Sequence, residues 1–174
     1  MEETPYEIER KFLIRMPDEA FLASLQDRSH IVQTYLQNES NESSERVRKR
    51  EYSGHTVYTH TIKTHVSSIR RVEIEREIGK DEYESLLLRA DPKRHSIEKT
   101  RYCLYWDGLT YEIDVFPFWE DRAFMEIELK DEYQCFPWPK GIFCIREVTD
   151  DRRYTNASLA LHIPTDDEQK EVIE

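Results

Sequence analysis

Charged and apolar residues alternate along much of the chain, and this period of two predicts β-strands. The clearest run is Glu7-Ile8-Glu9-Arg10-Lys11, close to the start of the sequence. Alternate side chains of an extended strand share a face, so Glu7, Glu9 and Lys11 lie on one side. Successive carboxylates on that face lie roughly 7 Å apart. Two acids at that spacing could share a hydrated divalent cation, and Lys11 could hold the anionic ligand of the cation.

Similar runs, separated by turn signals, predict about eight strands and two or three helices in a mostly antiparallel arrangement. The predicted strands cover residues 5–15, 31–36, 45–52, 56–64, 72–78, 96–105, 109–116 and 124–130. Short helices are predicted at 19–25, 80–90 and 156–162, where apolar residues recur at helical spacing. The stretch after Pro137 and Pro139 has no regular pattern, and a polar tail begins at about residue 165.

Length and composition favour a single α+β domain over residues 1–174. Charged residues make up 35% of the chain and hydrophobic residues 38%, which is still enough to bury a core at this length. The four glycines form neither a GxGxxG run nor a GxxxxGKS/T run. The sequence therefore excludes a glycine-rich phosphate loop.

The net charge of −11 argues against nucleic acid or an anionic membrane as a partner. Cys103, Cys135 and Cys144 lack CxxC spacing and are expected to be reduced thiols. No apolar run is long enough for a signal peptide or a membrane span, which favours a cytoplasmic location. The sequence leaves open whether the protein is a monomer or a homodimer.

The sign of the charge is segregated by strand. Acids recur at 7/9, 73/75, 112/114 and 126/128, and bases at 46/48, 63 and 99/101. Any one of these strands alone could be the solvated face of an ordinary antiparallel sheet. Whole strands of one sign fit that interpretation poorly, because two carboxylates 7 Å apart repel by about 2.4 kcal/mol at an effective dielectric constant of about 20. A bound cation or a proton would relieve that repulsion.

An eight-stranded barrel has an interior just wide enough for one small ligand. If the charged faces point inward, they line a tunnel whose acids suit Mg²⁺ or Mn²⁺ and whose bases suit a polyphosphate. Hydrolysis of a phosphoanhydride requires positioning, charge neutralisation and an aimed water. The pattern therefore indicates a metal-dependent phosphoanhydride site.

The same residues resemble the CYTH family, also called triphosphate tunnel metalloenzymes, from residue 6 to about residue 161. The resemblance begins with the ExExK signature at 7–11. Further motifs follow in the expected order at 33–36, 46–48, 61–63, 73–75, 97–102, 111–115, 126–128 and 147–156. Thr34 stands where glycine is common in the family. The ordered set is far more specific than ExExK alone.

The resemblance implies an eight-stranded antiparallel β-barrel with a charged interior, which acts on triphosphates with Mg²⁺ or Mn²⁺. It implies that the metals are held by Glu7, Glu9, Glu126 and Glu128, with Glu73, Glu75, Glu112 and Asp114 nearby. It implies that the phosphates are held by Lys11, Arg46, Arg48, Lys63 and Arg101. Compact bacterial members that cleave tripolyphosphate pair a tyrosine with a lysine, and Tyr35 and Lys99 occupy the matching positions as candidate catalytic residues.

The function expected from this resemblance is the hydrolysis of inorganic tripolyphosphate, a small-molecule substrate, to pyrophosphate and phosphate. A class IV-type adenylate cyclase and a nucleoside or thiamine triphosphatase are alternatives that would use the same tunnel. A non-catalytic polyphosphate-binding module is a further alternative. Tyr35 could also be an ordinary packing tyrosine, so its catalytic role is a hypothesis.

Overall fold

The chain folds into a closed antiparallel barrel in a computed structural model that describes residues 6–40, 42–67 and 69–165. The strands are β1 (Tyr6–Arg15), β2 (Asp27–Tyr35), β3 (Ser43–Tyr52), β4 (His55–His65), β5 (Arg70–Ile78), β6 (Ile97–Trp106), β7 (Leu109–Val115), β8 (Arg122–Leu129) and β9 (Cys144–Glu147). The helices are α1 (Glu19–Ser24), α2 (Lys80–Leu87) and α3 (Asn156–Leu159), with a 3₁₀ turn at Arg152–Tyr154. The expected α+β barrel is confirmed.

The first strand closes the barrel because both of its edges are paired. The strand order is β5-β4-β3-β2-β6-β7-β8-β1, and β1 pairs in turn with β5. On that second edge β5 pairs with residues 6–8 of β1, whereas β9 pairs with residues 12–14. The short strand β9 therefore covers the part of the β1 edge that β5 does not reach.

Two expectations about the strands were wrong in detail. The second strand begins at Asp27 rather than at residue 31, because its polar first residues pair with β6 from Cys103 onward. The stretch after Pro139 is not wholly irregular, since it contains β9. Three of the four residues of β9 are exposed, so it lacks the apolar alternation that marks a strand in the sequence. The predicted polar tail lies outside the described residues from 166 onward.

The apolar core lies mainly on the outside of the barrel. Ile113 and Ile127 point away from the interior and are fully buried. Phe12 packs edge-on against Trp138, with ring centroids 5.0 Å apart, and α1 adds Phe21 to the same cluster. Helix α2 covers a second apolar patch. These elements shield the outward faces of the strands, which leaves the inward faces free to carry charge.

One end of the barrel is closed by apolar side chains, here called the closed end. Leu13 and Phe124 point inward there and pack with Tyr35 and Tyr154. Arg94 holds α3 at this end, because its guanidinium donates to the backbone oxygen of Ala157 in that helix. None of the helices in residues 6–40, 42–67 and 69–165 is long and apolar enough to cross a membrane.

The outward position of the core predicts an unequal response to two similar substitutions. Ile113→Ala should lower the free energy of unfolding by about 2–5 kcal/mol, because it leaves a cavity at a residue that is 0% exposed. Ile74→Ala is the control, since Ile74 also faces outward but is 61% exposed, and it should change stability by about 0.5 kcal/mol or less. Urea denaturation of both variants measures the difference, and equal losses would contradict this assignment of the core.

Candidate active site

The interior of the barrel holds a cavity of about 400 Å³. Most of the residues proposed from the sequence line it, which brings them together in one place. They are Glu7, Glu9, Lys11, Tyr35, Arg46, Arg48, Lys63, Glu73, Glu75, Lys99, Arg101, Glu112, Glu126 and Glu128. Asp114 is the one proposed residue that is not part of this lining among the described residues.

Acidic and basic side chains occupy different halves of the barrel. The acids lie on β7, β8, β1 and β5, which are consecutive neighbours once the barrel is closed. The bases of the other half lie on β4, β3 and β6, with β2 between the last two. Within the acidic half, Glu9 faces Glu128 across the β1–β8 pair and Glu112 faces Glu126 across the β7–β8 pair. Strands that carry charges of one sign in the sequence are thus grouped in the fold, with the acidic strands in one half of the barrel and the basic strands in the other.

Cations from the cavity wall compensate the acidic half. Lys11 Nζ lies 3.1 Å from the carboxylate of Glu126, and Arg71 forms an ion pair with Glu9. Burial alone would raise the pKa of Glu126, but Lys11 and Arg101 hold it well below its usual range. Glu126 is therefore ionised and paired in this arrangement.

Glu7 and Glu73 form a closer acidic pair at the β1–β5 junction. Burial and a hydrogen bond with Glu73 raise the pKa of Glu7 to about 7, although Lys63 opposes the shift. Lys63 Nζ lies 2.7 Å from Glu73 and 3.3 Å from Glu7. One ammonium therefore serves two carboxylates, and the raised pKa of Glu7 favours a proton on that carboxylate.

The basic half presents guanidinium groups to the cavity. Arg48 donates to Glu75 at 3.1 Å, and Arg46 lies 3.9 Å from Glu73. The Nε atoms of Arg46 and Arg48 are buried and have no hydrogen-bond partner in the described part of the chain. Burial and the charge of Arg46 lower the pKa of Arg48. Unpaired N–H donors in a positive wall are suited to phosphate oxygens.

Lys99 is held in a buried ion-pair network. Its Nζ lies 2.6 Å from Asp114, and Arg101 donates to both oxygens of the same carboxylate at 2.7 and 2.8 Å. Lys99 is only 2% exposed. Burial and the charge of Arg101 lower the pKa of Lys99 to about 8, although Asp114 opposes the shift. A substantial fraction of Lys99 is therefore neutral in weakly alkaline solution.

The structure gives Asp114 a different place from the one implied by the resemblance. Its side chain is 0% exposed and is bonded to Lys99 and Arg101 instead of joining the cavity wall. Glu112, two residues earlier, does reach the cavity and lies 2.5 Å from Arg101 Nη1. We therefore separate the two acids of β7: Glu112 stays with the candidate metal residues, whereas Asp114 orients the two cations.

Gln33, Tyr154 and Asn156 are among the cavity residues that were not assigned a role from the sequence. Gln33 precedes Tyr35 by two positions on β2, so the strand period alone places both on one face. Tyr154 reaches the cavity from the 3₁₀ turn before α3, and Asn156 reaches it from the first position of α3. The Tyr154 hydroxyl and the Asn156 Oδ1 are buried without a partner among the described residues. The segment that contains Tyr154 and Asn156 matches the motif at 147–156 but has no strand period, so the sequence did not show that these side chains point inward.

The donor set of the acidic half fits a hard divalent cation. Glu7, Glu9, Glu126 and Glu128 offer carboxylate oxygens, which Mg²⁺ and Mn²⁺ prefer. No three acidic, histidine or cysteine side chains in residues 6–40, 42–67 and 69–165 are already grouped as a preassembled metal site, since Lys11, Lys63 and Arg71 lie among the acids. The raised pKa of Glu7 marks a point where bound positive charge would relieve carboxylate repulsion.

The family is established by comparison with known proteins. Residues 5–135 match the CYTH domain. The chain therefore belongs to the CYTH domain family, as the motif order suggested.

Two curated relatives and one solved structure share the name inorganic triphosphatase. The chain is 33% identical over 162 residues to an inorganic triphosphatase of Nitrosomonas europaea, an alignment that covers 91% of this chain and 99% of the relative. It is 40% identical over 101 residues to an inorganic triphosphatase of Acetivibrio thermocellus, covering 57% of this chain and 62% of that relative. A crystal structure of the inorganic triphosphatase NE1496 superposes with a TM-score of 0.57 at 33% identity, covering 91% and 97% of the two chains.

The buried network predicts that Asp114 stabilises the fold. Asp114→Asn should lower the free energy of unfolding at pH 7 by about 3–5 kcal/mol, because it removes the carboxylate charge that is bonded to both Lys99 and Arg101 in a buried network. Burial would raise the pKa of Asp114, but Arg101 and Lys99 lower it from 3.8 to about 2. A lowered carboxyl pKa stabilises the folded state above 3.8, and that contribution is lost as pH falls towards 2.

The advantage of the wild type over Asp114→Asn should therefore be complete at neutral pH and shrink below pH 3.8. Urea denaturation as a function of pH measures it. Glu112→Gln is the matched control, because its side chain is 36% exposed and its loss should cost about 1 kcal/mol or less. A neutral-pH loss as small for Asp114→Asn as for the control would contradict the stabilising role.

Proposed function

We propose that this protein is a metal-dependent triphosphatase that hydrolyses inorganic tripolyphosphate to pyrophosphate and phosphate. The observation that carries the proposal is the cavity itself, which is divided into an acidic half and a basic half and is closed by apolar side chains at one end. Such a cavity suits a short polyanion with metal counterions. The names of the related triphosphatases support the same reaction.

The cavity favours an inorganic substrate over a nucleotide. In the described part of the chain, the aromatic residues of its lining are Tyr35 and Tyr154, and both are buried within the apolar cluster of the closed end. Neither ring is available as a platform for a nucleobase. The nucleotide-cleaving alternatives are therefore less favoured than tripolyphosphate.

The acidic half is the proposed metal site. Glu7, Glu9, Glu126 and Glu128 would hold Mg²⁺ or Mn²⁺, with Glu73, Glu75 and Glu112 near enough to share in charge neutralisation. A bound divalent cation would neutralise phosphate charge and polarise the phosphoryl oxygens.

The proposed phosphate site consists of Arg46, Arg48, Lys63 and Arg101 from the basic half, together with Lys11 from β1. These cations are paired with carboxylates, as in the pairs of Arg48 with Glu75 and Lys63 with Glu73. Phosphate oxygens would take the place of the carboxylates around them. The metal would take the place of the cations around the carboxylates, so that the charges remain balanced.

Lys99 is the proposed general base and Tyr35 its partner in positioning the reacting phosphate. The oxygen of a water attacks the terminal phosphorus, and neutral Lys99 accepts the proton. The bond from phosphorus to the bridging oxygen breaks, and its electron pair leaves with pyrophosphate. Asp114 keeps the Lys99 amine in place, since the two groups are 2.6 Å apart.

We further propose that the protein works in the cytoplasm on a small molecule, as a monomer or a homodimer. A net charge of −11 makes nucleic acid and anionic membranes unfavourable partners.

A substrate panel tests the function. With Mg²⁺ or Mn²⁺, the purified protein should release phosphate from tripolyphosphate at least about tenfold faster than from ATP or thiamine triphosphate, and release none after chelation. Glu128→Gln should abolish this activity, whereas Glu84→Gln on the outside of α2, with a side chain 59% exposed, should retain it. Faster hydrolysis of ATP, formation of cyclic AMP with pyrophosphate, or tight binding without turnover would each refute the proposal in favour of the corresponding alternative.

The general-base role of Lys99 predicts a specific pH profile. The wild-type kcat should rise with pH through a pKa at or above about 8, since deprotonation creates the base and bound phosphate favours the charged amine. Lys99→Arg keeps the positive charge but cannot deprotonate, so kcat should fall by about 100-fold or more and lose this alkaline rise. KM should change little, and Lys93→Arg on the surface is the matched control. An unchanged pH profile in Lys99→Arg would exclude Lys99 as the base.

A further inference from the structure

Gln33 is a buried polar residue of the cavity wall that the mechanism above does not use. It is 1% exposed and lines the cavity near the C-terminal end of β2. It lies directly opposite Arg48 of β3 and two residues from Tyr35. The amide is therefore close to both the phosphate-binding and the catalytic side chains.

The two ends of the Gln33 amide are in different situations. Its Nε2 donates to the Tyr35 hydroxyl at 3.3 Å. Its Oε1 is buried and has no hydrogen-bond partner among the described residues, and the same is true of Arg48 Nε across the strand pair. A buried carbonyl without a partner costs about 1–3 kcal/mol. A ligand in the cavity that satisfies this oxygen would remove that cost.

The chemistry of the unpaired atom limits what this ligand can be. A carbonyl oxygen only accepts hydrogen bonds, so it cannot bind the oxygens of a fully ionised phosphate. A metal ion is disfavoured here, because β2 lies between β3 and β6, the strands that carry Arg46, Arg48, Lys99 and Arg101. Water is suited to the position, because it can donate to Gln33 Oε1 and accept from Arg48 Nε at the same time.

We propose that Gln33 positions the water that attacks the substrate, an inference that rests on the proposed hydrolysis. The water donates one hydrogen to Gln33 Oε1, which turns its lone pair towards the terminal phosphorus. Its second proton goes to neutral Lys99 as the new phosphorus–oxygen bond forms and the bond to the pyrophosphate leaving group breaks. The Gln33 Nε2 bond to Tyr35 fixes the tyrosine hydroxyl relative to the same water.

Gln33→Met tests this role because methionine has a similar shape and neither end of the amide. Misplacement of a nucleophile costs on the order of 100-fold in rate, so kcat should fall by about that factor. KM for tripolyphosphate and the inhibition constant for pyrophosphate should stay within about threefold, because the cations that hold phosphate are untouched. Thr34→Val is the matched control, since Thr34 is the next residue on β2 and points outward to Ser96; it should keep the wild-type kcat.

Gln33→Glu separates a water site from a phosphate contact. The glutamate carboxylate keeps a hydrogen-bond acceptor at the Oε1 position. The kcat of Gln33→Glu should therefore stay within about tenfold of the wild-type kcat and above the kcat of Gln33→Met. If the Gln33 amide instead binds phosphate through nitrogen, the carboxylate repels the substrate and KM rises most in Gln33→Glu. That result, or a wild-type kcat in folded Gln33→Met, would overturn the inference.

Different results would refute the proposed hydrolysis and the proposed role of Gln33. A wild-type protein that hydrolyses no triphosphate would refute the proposed function and this inference with it. A wild type that cleaves tripolyphosphate, together with a fully active Gln33→Met, would refute the inference alone.

Discussion

Charge compensation between neighbouring strands is the constraint on which the rest of the structure depends. A buried ion loses several kcal/mol of hydration, and only close, well-bonded opposite charges offset that loss. Asp114 meets the requirement for Lys99 and Arg101 at 2.6–2.8 Å. The barrel can close around a charged interior because strands of opposite sign adjoin at β4–β5 and β6–β7. Within the acidic half, Lys11 and Arg71 supply the counter-charge. An imbalance remains at Glu7 and Glu73, and there the pKa of Glu7 is raised.

The charged interior also determines where the hydrophobic core must lie. Since the inward faces carry the site, the apolar faces of β1, β7 and β8 turn outward, where α1 and the segment that contains Trp138 cover them. The interior becomes apolar at the closed end. There, Leu13 is the next inward residue beside Lys11 on β1, and Phe124 is the next inward residue beside Glu126 on β8. Lys11 Nζ lies 4.1 Å from the centre of the Phe124 ring. Packing residues of the closed end and charged residues of the cavity thus occupy successive inward positions along the same strands.

The strand period predicted which face each residue occupies but not which partner it meets there. The alternation of Glu7, Glu9 and Lys11 was sufficient to place them on an inward face, and the same holds for most of the cavity lining. Asp114 lies on the same face of β7 as Glu112 according to the strand period. Its partner, however, is determined by the register that places it opposite Arg101 on β6, and a local sequence pattern does not contain this register. The inward positions of Tyr154 and Asn156 could not be predicted for a different reason, because residues 148–157 form no strand and several of them reach the cavity only through long-range packing.

The paired interior would link the proposed metal binding to substrate binding. Lys63 lies between Glu7 and Glu73, so a divalent cation on these acids would compete with the lysine for them. With the acids neutralised in this way, the lysine would be available to a phosphate oxygen. A phosphate that attracted the lysine would equally free the acids for a cation, and such coupling is reciprocal by thermodynamic necessity. Side chains that neutralise one another in this structure would therefore favour joint binding of a cation and a triphosphate, because each ligand would remove the counter-charge that opposes the other.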